Sequence, residues 1–356
     1  MGKINMFEES GYLDIAGIRK YMEESGITYT FIWGSRGIGK TYGVLKEQVR
    51  RNLESNEKFI MLRRTKTQVD LITNERFMPF KSFNADYGTM YRPYSIGSGM
   101  YGFFDSEIVD NKYKQVGEEI GLAMAVSTSG NVRGYDGYDI SFVFYDEFIP
   151  LKAEHPIRGE ASLLFNTLET IGRNRELKSG KPLYFMGLSN SNDVDNPYFL
   201  ELGVVDRALR MSRSEDNEIW IDRKRGLMLI CVNRSPISAL KKDTALYKLT
   251  AGTDFAKMAL DNDFVNVNTD SIRSMDLKHY DPLAALGGIC IYKRKGSNTY
   301  YVSEHIKGRP KVYSTAEIDL DRFRLKFAYL YSAYMQDRIL FENHASEYLF
   351  QVYMKT

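Results

Sequence analysis

The octapeptide Gly34-Ser-Arg-Gly-Ile-Gly-Lys-Thr41 constrains this chain more than any other feature, because it matches the phosphate-binding pattern GxxxxGK[ST] without a mismatch. The β-rich run 28–33 ends directly before it, and apolar residues at helical spacing follow over 42–53. The glycines let the backbone curl so that its N–H groups face a phosphate, at the start of a helix whose dipole favours an anion. The motif therefore predicts a strand–loop–helix unit that binds a nucleotide.

Each residue of this loop has a predicted role in holding ATP and Mg²⁺. Lys40 is expected to reach the β- and γ-phosphates, and the Thr41 hydroxyl is expected to bind Mg²⁺. The other residues of the loop contribute backbone N–H groups and allow the backbone to curl around a phosphate. The predicted nucleotide-binding residues of the loop are Gly34, Ser35, Arg36, Gly37, Ile38, Gly39, Lys40 and Thr41.

A second apolar run, 140–145, ends on Asp146 and Glu147. P-loop folds place the aspartate that coordinates Mg²⁺ at such a strand end, and an adjacent glutamate can polarise the water that attacks the γ-phosphate. We therefore predict that Asp146 is a metal ligand and that Glu147 is the general base. A GTPase would carry Asp-x-x-Gly here and Asn-Lys-x-Asp later, whereas this chain has Asp-Glu-Phe-Ile at 146–149. The predicted nucleotide is ATP.

Two further polar sites each admit two interpretations. The run 183–188 leads to Asn190, and a polar strand tip there either senses the γ-phosphate, as in P-loop ATPases with an additional central strand, or is a plain turn. Arg173 and Arg175 follow a predicted helix. They are either solvated charges near its negative end or arginine fingers that reach a neighbouring subunit's nucleotide.

Together these elements predict an α/β fold, a P-loop NTPase of the additional-strand, catalytic-glutamate type with a mainly parallel central sheet. Residues 82–126 are rich in Tyr, Gly and Ser, which predicts antiparallel hairpins or an insertion. The last segment holds two strand-like runs, 288–294 and 299–303, followed by a long helical stretch from Asp321. A chain of 356 residues suits two domains.

Composition restricts the possible partners and compartments. With 48 Lys and Arg against 46 Asp and Glu the net charge is only +2, so a nucleic-acid surface must come from local clustering. Cys231 and Cys290 lie in apolar runs and are expected to be buried thiols in a reducing compartment. We see no signal peptide and no apolar run of membrane length, so we expect the chain to act in a cytosol without a membrane partner.

Seven short motifs occur in a specific order, and together they resemble those of the DNA-packaging ATPases of small podoviruses with protein-primed genomes. The resemblance covers about residues 30–265, whereas the last ninety residues resemble the family only loosely. The motifs are Gly34-Ser-Arg-Gly-Ile-Gly-Lys40, Arg63-Arg-Thr-Lys66, Asp146-Glu-Phe-Ile149, Arg173-Asn-Arg-Glu176, Leu188-Ser-Asn190, Asn196-Pro-Tyr-Phe199 and Met258-Ala-Leu-Asp-Asn-Asp-Phe264.

The resemblance implies a homomeric ring, usually of five subunits, docked on the portal or connector of an empty capsid. ATP hydrolysis there would drive double-stranded DNA inward. Lys40, Asp146 and Glu147 would act within their own subunit, whereas Arg173 and Lys66 would act on the neighbour's ATP. The implied location is the host cytoplasm and, transiently, the portal vertex, and the involvement of a structural RNA stays open.

The resemblance also implies three domains. They are an ATPase domain at 1–234, a linker or lid at 235–268, and a smaller C-terminal α+β domain at 269–356 that resembles an inactive RNase H-like nuclease. A two-metal nuclease needs converging carboxylates, typically one on its first strand, and the run 288–294 has none. The nearby Asp319 and Asp321 could equally cap a helix.

The residues leave three functions open. The first is a translocating ATPase on double-stranded DNA, for which the basic candidates nearest the ATP motifs are Arg133 and Lys152, either phosphate contacts or ordinary surface charges. The second is another ring or helicase-like ATPase acting on RNA or single strands, which stacking aromatics would favour. The third is a structural ring component whose ATP site only locks assembly.

Overall fold

The computed structural model describes residues 4–132, 137–150, 154, 157–190, 194, 196–241, 243–253 and 271–354. These residues form two compact units. The first contains most of the described chain up to residue 253, and the second contains 271–354 together with 154, 157–158, 194 and 196–206. None of the described helices combines the length and the apolar character needed to span a bilayer.

The first unit is built on one nine-stranded sheet, in which the central strands are parallel. The strand order is β3-β4-β5-β2-β6-β7-β1-β9-β8, with antiparallel pairing only in β3-β4-β5 and in β9-β8. The strands are β1 (Tyr29–Gly34), β2 (Lys58–Arg63), β3 (Arg92–Gly97), β4 (Met100–Val109), β5 (Lys112–Ala125), β6 (Ile140–Asp146), β7 (Tyr184–Ser189), β8 (Glu218–Asp222) and β9 (Leu227–Val232). The predicted α/β fold with a mainly parallel sheet is thus confirmed.

The parallel strands coincide with the continuous apolar runs of the sequence, because strands covered on both faces carry few polar residues. All six residues of β9 are buried, as are the central residues of β2 and β6. β7 lies between β1 and β6, so one strand separates the glycine-rich loop from the Asp-Glu pair. We call the edge where β1, β2, β6, β7 and β9 end the carboxyl edge, and the edge where they begin the amino edge.

The described helices begin and end at recognisable signals. In α1, Asp14 accepts a hydrogen bond from the Gly17 N–H at the N-terminus, and Gly26 closes the helix with φ of 67°. Short 3₁₀ turns lie at Leu71–Thr73, Val126–Val132 and Leu277–His279. The helices are α1 (Ile15–Ser25), α2 (Lys40–Ser55), α3 (Lys66–Asp70), α4 (Lys81–Tyr87), α5 (Glu160–Gly172), α6 (Arg175–Ser179), α7 (Pro197–Glu201), α8 (Val205–Ser212), α9 (Pro236–Lys241), α10 (Ala245–Leu249), α11 (Glu317–Lys326), α12 (Ala328–Met335) and α13 (His344–Met354).

The predicted hairpins at 82–126 are confirmed, since β3, β4 and β5 pair antiparallel in succession. They are not separate from the main fold, because the second half of β5 pairs in parallel with β2 from Gly121 to Ala125. The segment therefore extends the sheet on the side away from β1.

The second unit holds a five-stranded sheet with the order β13-β10-β11-β12-β14. β11 and β12 match the two predicted runs, but the sequence analysis missed β10, which precedes them. The long helical stretch expected from Asp321 is confirmed only in part, because the helical backbone breaks at Phe327 and a strand follows the second helix. Aromatic side chains from these pieces share one core with the sheet, including Phe323, Phe341 and Phe350. The strands are β10 (Tyr280–Leu286), β11 (Ile289–Arg294), β12 (Tyr300–Ser303), β13 (Lys311–Tyr313) and β14 (Ile339–Phe341).

Candidate nucleotide site

The glycine-rich loop adopts a backbone that only glycines accept easily. Gly34, Gly37 and Gly39 have φ of 113°, 68° and 79°, in the region that L-residues rarely enter. At Gly34 an added Cβ would lie 2.3 Å from the carbonyl oxygen of Val232. The pattern of glycines is therefore a requirement of this loop and of its close approach to β9.

The loop is anchored on two sides. The backbone N–H and the hydroxyl of Ser35 both donate to the Val232 carbonyl, at 2.9 and 3.0 Å. On the other side, the buried Ile38 accepts a hydrogen bond through its carbonyl from the Leu13 N–H, at 3.0 Å. Arg36 is the exposed side chain at the crown of the loop. The loop is thus held rigidly by β9 and by the segment before α1.

The start of α2 has the properties of an anion site. Gly39 caps the helix without a side-chain hydrogen bond, so the first N–H groups of the helix have no side-chain acceptor at the cap. The buried Lys40 Nζ donates to the carbonyls of Gly34 and Ser35, at 3.1 and 2.7 Å. Burial lowers the pKa of Lys40 to about 7, although Glu147 and Asp146 act in the opposite direction. A phosphate would supply the negative charge that this buried ammonium lacks.

Thr41 and Asp146 meet although 105 positions separate them in the chain. The Thr41 hydroxyl donates to Asp146 Oδ1 at 2.8 Å, and the carboxylate is buried. A hydroxyl and a carboxylate oxygen side by side, next to a phosphate loop, fit a Mg²⁺ ion that takes its remaining ligands from phosphates and water. Within the described residues no group of three or more His, Cys, Asp and Glu could hold a metal ion.

Asp146 has a second partner that the sequence analysis did not assign. An Arg63 Nη lies 2.7 Å from Asp146 Oδ2, and the Arg63 Nε is buried without a hydrogen-bond partner. Arg63 ends β2, the strand next to β6, so the strand order alone brings the two side chains together. The feature of the sequence that could have identified Arg63 is its position at the end of an apolar run.

Glu147 is held in a defined position by Asn190. It adopts φ of 57°, unusual for a non-glycine residue, directly after β6. The Asn190 backbone N–H donates to Glu147 Oε2 at 3.2 Å, and the Asn190 side-chain amide donates to Oε1. The two residues meet because β7 is the direct neighbour of β6. Asn190 thus lies at a polar strand tip and contacts the predicted base, whereas its role as a γ-phosphate sensor stays a prediction.

The arginines after α5 lie at the amino edge of the sheet. Arg64, just after β2, forms a buried ion pair with Glu160 at 2.7 Å, which fixes the start of α5 at the carboxyl edge. At the other end of the helix, Arg175 donates to the carbonyl of Ile140, the first residue of β6. Ile140 and Asp146 are the two ends of β6, six residue steps apart, which corresponds to roughly 20 Å. Arg173 therefore does not approach the ATP loop of its own chain.

Arg173 itself is exposed and has φ of 42°. Within the part of the chain that the structure describes, its guanidinium makes no hydrogen bond and no ion pair. Lys66 is also exposed, and its Nζ pairs with Asp70 at 2.5 Å instead of Asp146 or Glu147. Arg133 and Lys152, the predicted DNA contacts, lie outside the described residues.

Three carboxylates of the second unit, Asp281, Asp319 and Asp321, have separate partners. The first strand of that unit is β10, and it does carry Asp281, which corrects the expectation of a first strand without a carboxylate. Asp281 is exposed, and its Oδ1 lies 3.7 Å from the Lys295 Nζ. Asp319 accepts hydrogen bonds from Ser314 next to the start of α11. Asp321 pairs with Arg324 at 3.5 Å.

Comparisons with known proteins find phage DNA packaging proteins that are similar to this chain. A sequence model described as podovirus DNA encapsidation protein (Gp16) matches residues 19–280. A DNA packaging protein of Bacillus phage B103 is 25% identical over 329 residues, covering 88% of this chain and 92% of that protein. A DNA packaging protein of Bacillus phage phi29 is 27% identical over 300 residues, covering 82% and 80%.

A solved structure described as the Phi-28 gp11 DNA packaging motor has a similar fold. Its TM-score to this chain is 0.61 at 19% sequence identity, and the match covers 94% of this chain and 96% of that one. The similarity extends over both compact units and is a similarity of fold.

Proposed function

This chain belongs to the podovirus DNA encapsidation protein family, and from that premise we propose that it is an ATPase that drives double-stranded DNA into a preformed capsid as part of a homomeric ring. The observation that carries the proposal is the Thr41–Asp146 hydrogen bond. It joins the phosphate loop to the Asp-Glu strand across the intervening β7 and sets two magnesium ligands side by side. This arrangement also fits the additional-strand, catalytic-glutamate class of P-loop ATPases.

The residues at the carboxyl edge divide the chemistry among them. The loop N–H groups and Lys40 would hold the phosphates, and Thr41 and Asp146 would hold the metal. When bound there, Mg²⁺ would supply positive charge that offsets the negative charge developing during phosphoryl transfer. Glu147 accepts the proton of the attacking water, and Asn190 fixes the orientation of that carboxylate.

In a ring, a neighbouring subunit can supply a cation that a single chain lacks at the carboxyl edge. Arg63 is already paired with Asp146, and the Lys40 ammonium lies within the loop. A further cation is needed to offset charge on the γ-phosphoryl group in the transition state. Arg173, exposed at the amino edge, is suited to reach the ATP of a neighbouring subunit, and we assign Lys66 the same kind of role. The family resemblance favours five subunits on the portal, in the host cytoplasm.

The proposal is tested by steady-state ATPase assays of the purified protein with and without duplex DNA. We expect hydrolysis that rises with duplex DNA and that disappears in the Lys40→Ala variant together with ATP binding. Hydrolysis that ignores DNA would favour a structural ring component. Stimulation by single strands or RNA, which duplex DNA fails to compete away, would favour the helicase-like alternative.

Binding of duplex DNA should be independent of sequence and sensitive to salt, because a packaging motor must hold phosphates and avoid base edges. The affinity is expected to fall steeply between low and moderate salt and to be equal for unrelated duplexes. We propose Arg133 and Lys152 as phosphate contacts, so alanine at either position should reduce the salt dependence. A preference for one sequence would contradict this function.

We propose that the second unit is a nuclease-like fold without activity. The support is that Asp281, Asp319 and Asp321 each have a basic or hydroxyl partner of their own. The full-length protein with Mg²⁺ or Mn²⁺ should leave plasmid DNA intact. Nicking that disappears in Asp281→Asn or Asp319→Asn would contradict this assignment.

A further inference from the structure

A second lysine contacts the phosphate loop. It belongs neither to the glycine-rich motif 34–41 nor to the strand that ends on Asp146. Lys241 is the last residue of α9, and its Nζ donates to the carbonyl of Arg36 at 2.5 Å. A Cβ added to Gly37 would lie 2.2 Å from the same Nζ. The ammonium therefore touches the crown of the loop from the side of β9.

The position of Lys241 is set by packing. α9 follows β9 after a short connection, and β9 is the strand that pairs with β1. At its N-terminus, Pro236 packs so tightly against Gly11 that a Cβ added to Gly11 would lie 3.0 Å from the Pro236 Cβ. Leu13, two residues after Gly11, donates its backbone N–H to the Ile38 carbonyl of the loop. α9 and the loop thus share a support, which holds Lys241 in place.

The charges around the loop call for an anion. Lys40 and Lys241 both donate to backbone carbonyls of the loop, and Arg36 is exposed beside them. Within the described residues, none of these three cations forms an ion pair with a carboxylate. The nearby acids are engaged elsewhere, with Asp146 on Arg63 and Glu147 on Asn190. A phosphate is a stronger acceptor than a peptide carbonyl, because both partners of the hydrogen bond are then charged.

We propose that Lys241 is a second phosphate-binding lysine, which exchanges the Arg36 carbonyl for a phosphate oxygen of the nucleotide in the loop. This inference rests on the proposed ATP site and adds a residue to it. It makes α9, outside the two recognised motifs, a part of the nucleotide site. The segment that leaves the main sheet after β9 then changes its contacts when a nucleotide binds.

The test is a titration of ATP, ADP and adenosine in the Glu147→Gln background, which prevents turnover, by isothermal calorimetry. We expect Lys241→Ala to raise the Kd for ATP about tenfold or more, as for the loss of one charge-assisted hydrogen bond. The Kd for adenosine should not change, and Lys241→Arg should restore most of the ATP affinity. The dependence of ATP affinity on salt should become weaker in Lys241→Ala, which loss of a merely structural contact would not cause.

Lys248→Ala is the matched control, because Lys248 is an exposed lysine on the next helix, α10. Lys241→Gln, with thermal melts of every variant, covers the case in which Lys241→Ala fails to fold. An ATP affinity equal to that of the parent would overturn the proposal. So would tighter binding, which would mean that Lys241 blocks the loop, or an equal loss for ATP and adenosine. If the parent itself does not bind ATP, the proposed function fails and not only the role of Lys241.

Discussion

The two edges of the nine-stranded sheet differ in how their charged side chains are held. At the carboxyl edge, Asp146 has two partners, Thr41 and Arg63, and Glu147 is fixed by Asn190. At the amino edge, Arg175 is tied to the backbone of β6. Arg173, two residues away, is exposed and makes no hydrogen bond or ion pair within the described part of the chain. The two acids of the carboxyl edge are thus held by partners in the same chain, whereas Arg173 at the amino edge is not.

If Arg173 is the finger proposed above, a complete ATPase site uses both edges, and one chain cannot bring them together. The amino edge lies roughly 20 Å from the carboxyl edge, as measured along β6. A guanidinium reaches a phosphate only at hydrogen-bond distance. Arg173 is therefore either an ordinary surface residue or a contribution to another copy of the chain, and the following predictions separate these cases.

The largest effect is expected for Arg173→Ala, which should lower the turnover number about 10³–10⁵-fold if Arg173 is an arginine finger. Mixing this variant with Glu147→Gln should partly restore hydrolysis. In some junctions of a mixed ring, an intact Arg173 then faces an intact Glu147. The measurement is steady-state ATPase of each protein alone and of the mixture.

Two controls accompany the mixing experiment. Lys178→Ala, at an exposed lysine on α6, should leave turnover unchanged. A mixture of Lys40→Ala and Glu147→Gln should stay inactive, because both residues belong to the same edge and every site then lacks one of them. If the Arg173→Ala mixture also stays inactive while both proteins assemble, the two edges do not complement each other.

Glu147→Gln should lower turnover about 10²–10⁴-fold, as expected for the loss of a general base. ATP affinity should change little, because the carboxylate acts mainly in the transition state. Single-turnover kinetics and a direct binding titration separate the two quantities. Normal hydrolysis by this variant would remove Glu147 from the mechanism and would direct attention to Asp146.

ATP binding should take up a proton at pH 8. Burial lowers the pKa of Lys40 to about 7 in the free protein, so its amine is mostly uncharged at pH 8, whereas bound phosphates favour the charged form. Affinity should therefore fall as pH rises above 7, by up to about tenfold per pH unit. Calorimetry in two buffers of different ionisation enthalpy measures the uptake.

Lys40→Arg provides the comparison for this pH effect, since a guanidinium stays charged at pH 8. Its ATP affinity is expected to be lower than that of the parent but less dependent on pH. Equal proton uptake in the parent and in Lys40→Arg would mean that another group, such as Lys241, binds the proton.

The smallest effect is expected for Arg175→Ala, which removes the hydrogen bond to the Ile140 carbonyl. The loss should cost about 1 kcal/mol of unfolding free energy, seen as a decrease in Tm of roughly 2 °C. Turnover should not change, which is the reverse of Arg173→Ala. A loss of turnover in Arg175→Ala at normal stability would exchange the roles of the two arginines.

The sequence by itself determined the local parts of this protein. The loop 34–41 is specified by its glycines, because three of them adopt φ values that other residues rarely enter. The apolar runs predicted β1, β6 and β7 close to their observed bounds, because a strand covered on both faces has few other patterns available. Both depend on residues that are neighbours in the chain.

Other features depended on strand order, which the tertiary structure decides. Buried parallel strands have similar sequences, so the pattern does not say that β2 and β7 flank β6 or that β9 flanks β1. The contacts Arg63–Asp146, Asn190–Glu147 and Lys241–Arg36 follow from that order. The position of Arg173 at the far edge follows from the direction in which α5 crosses the sheet. Residues distant in the chain meet only where the packing of whole elements brings their ends together.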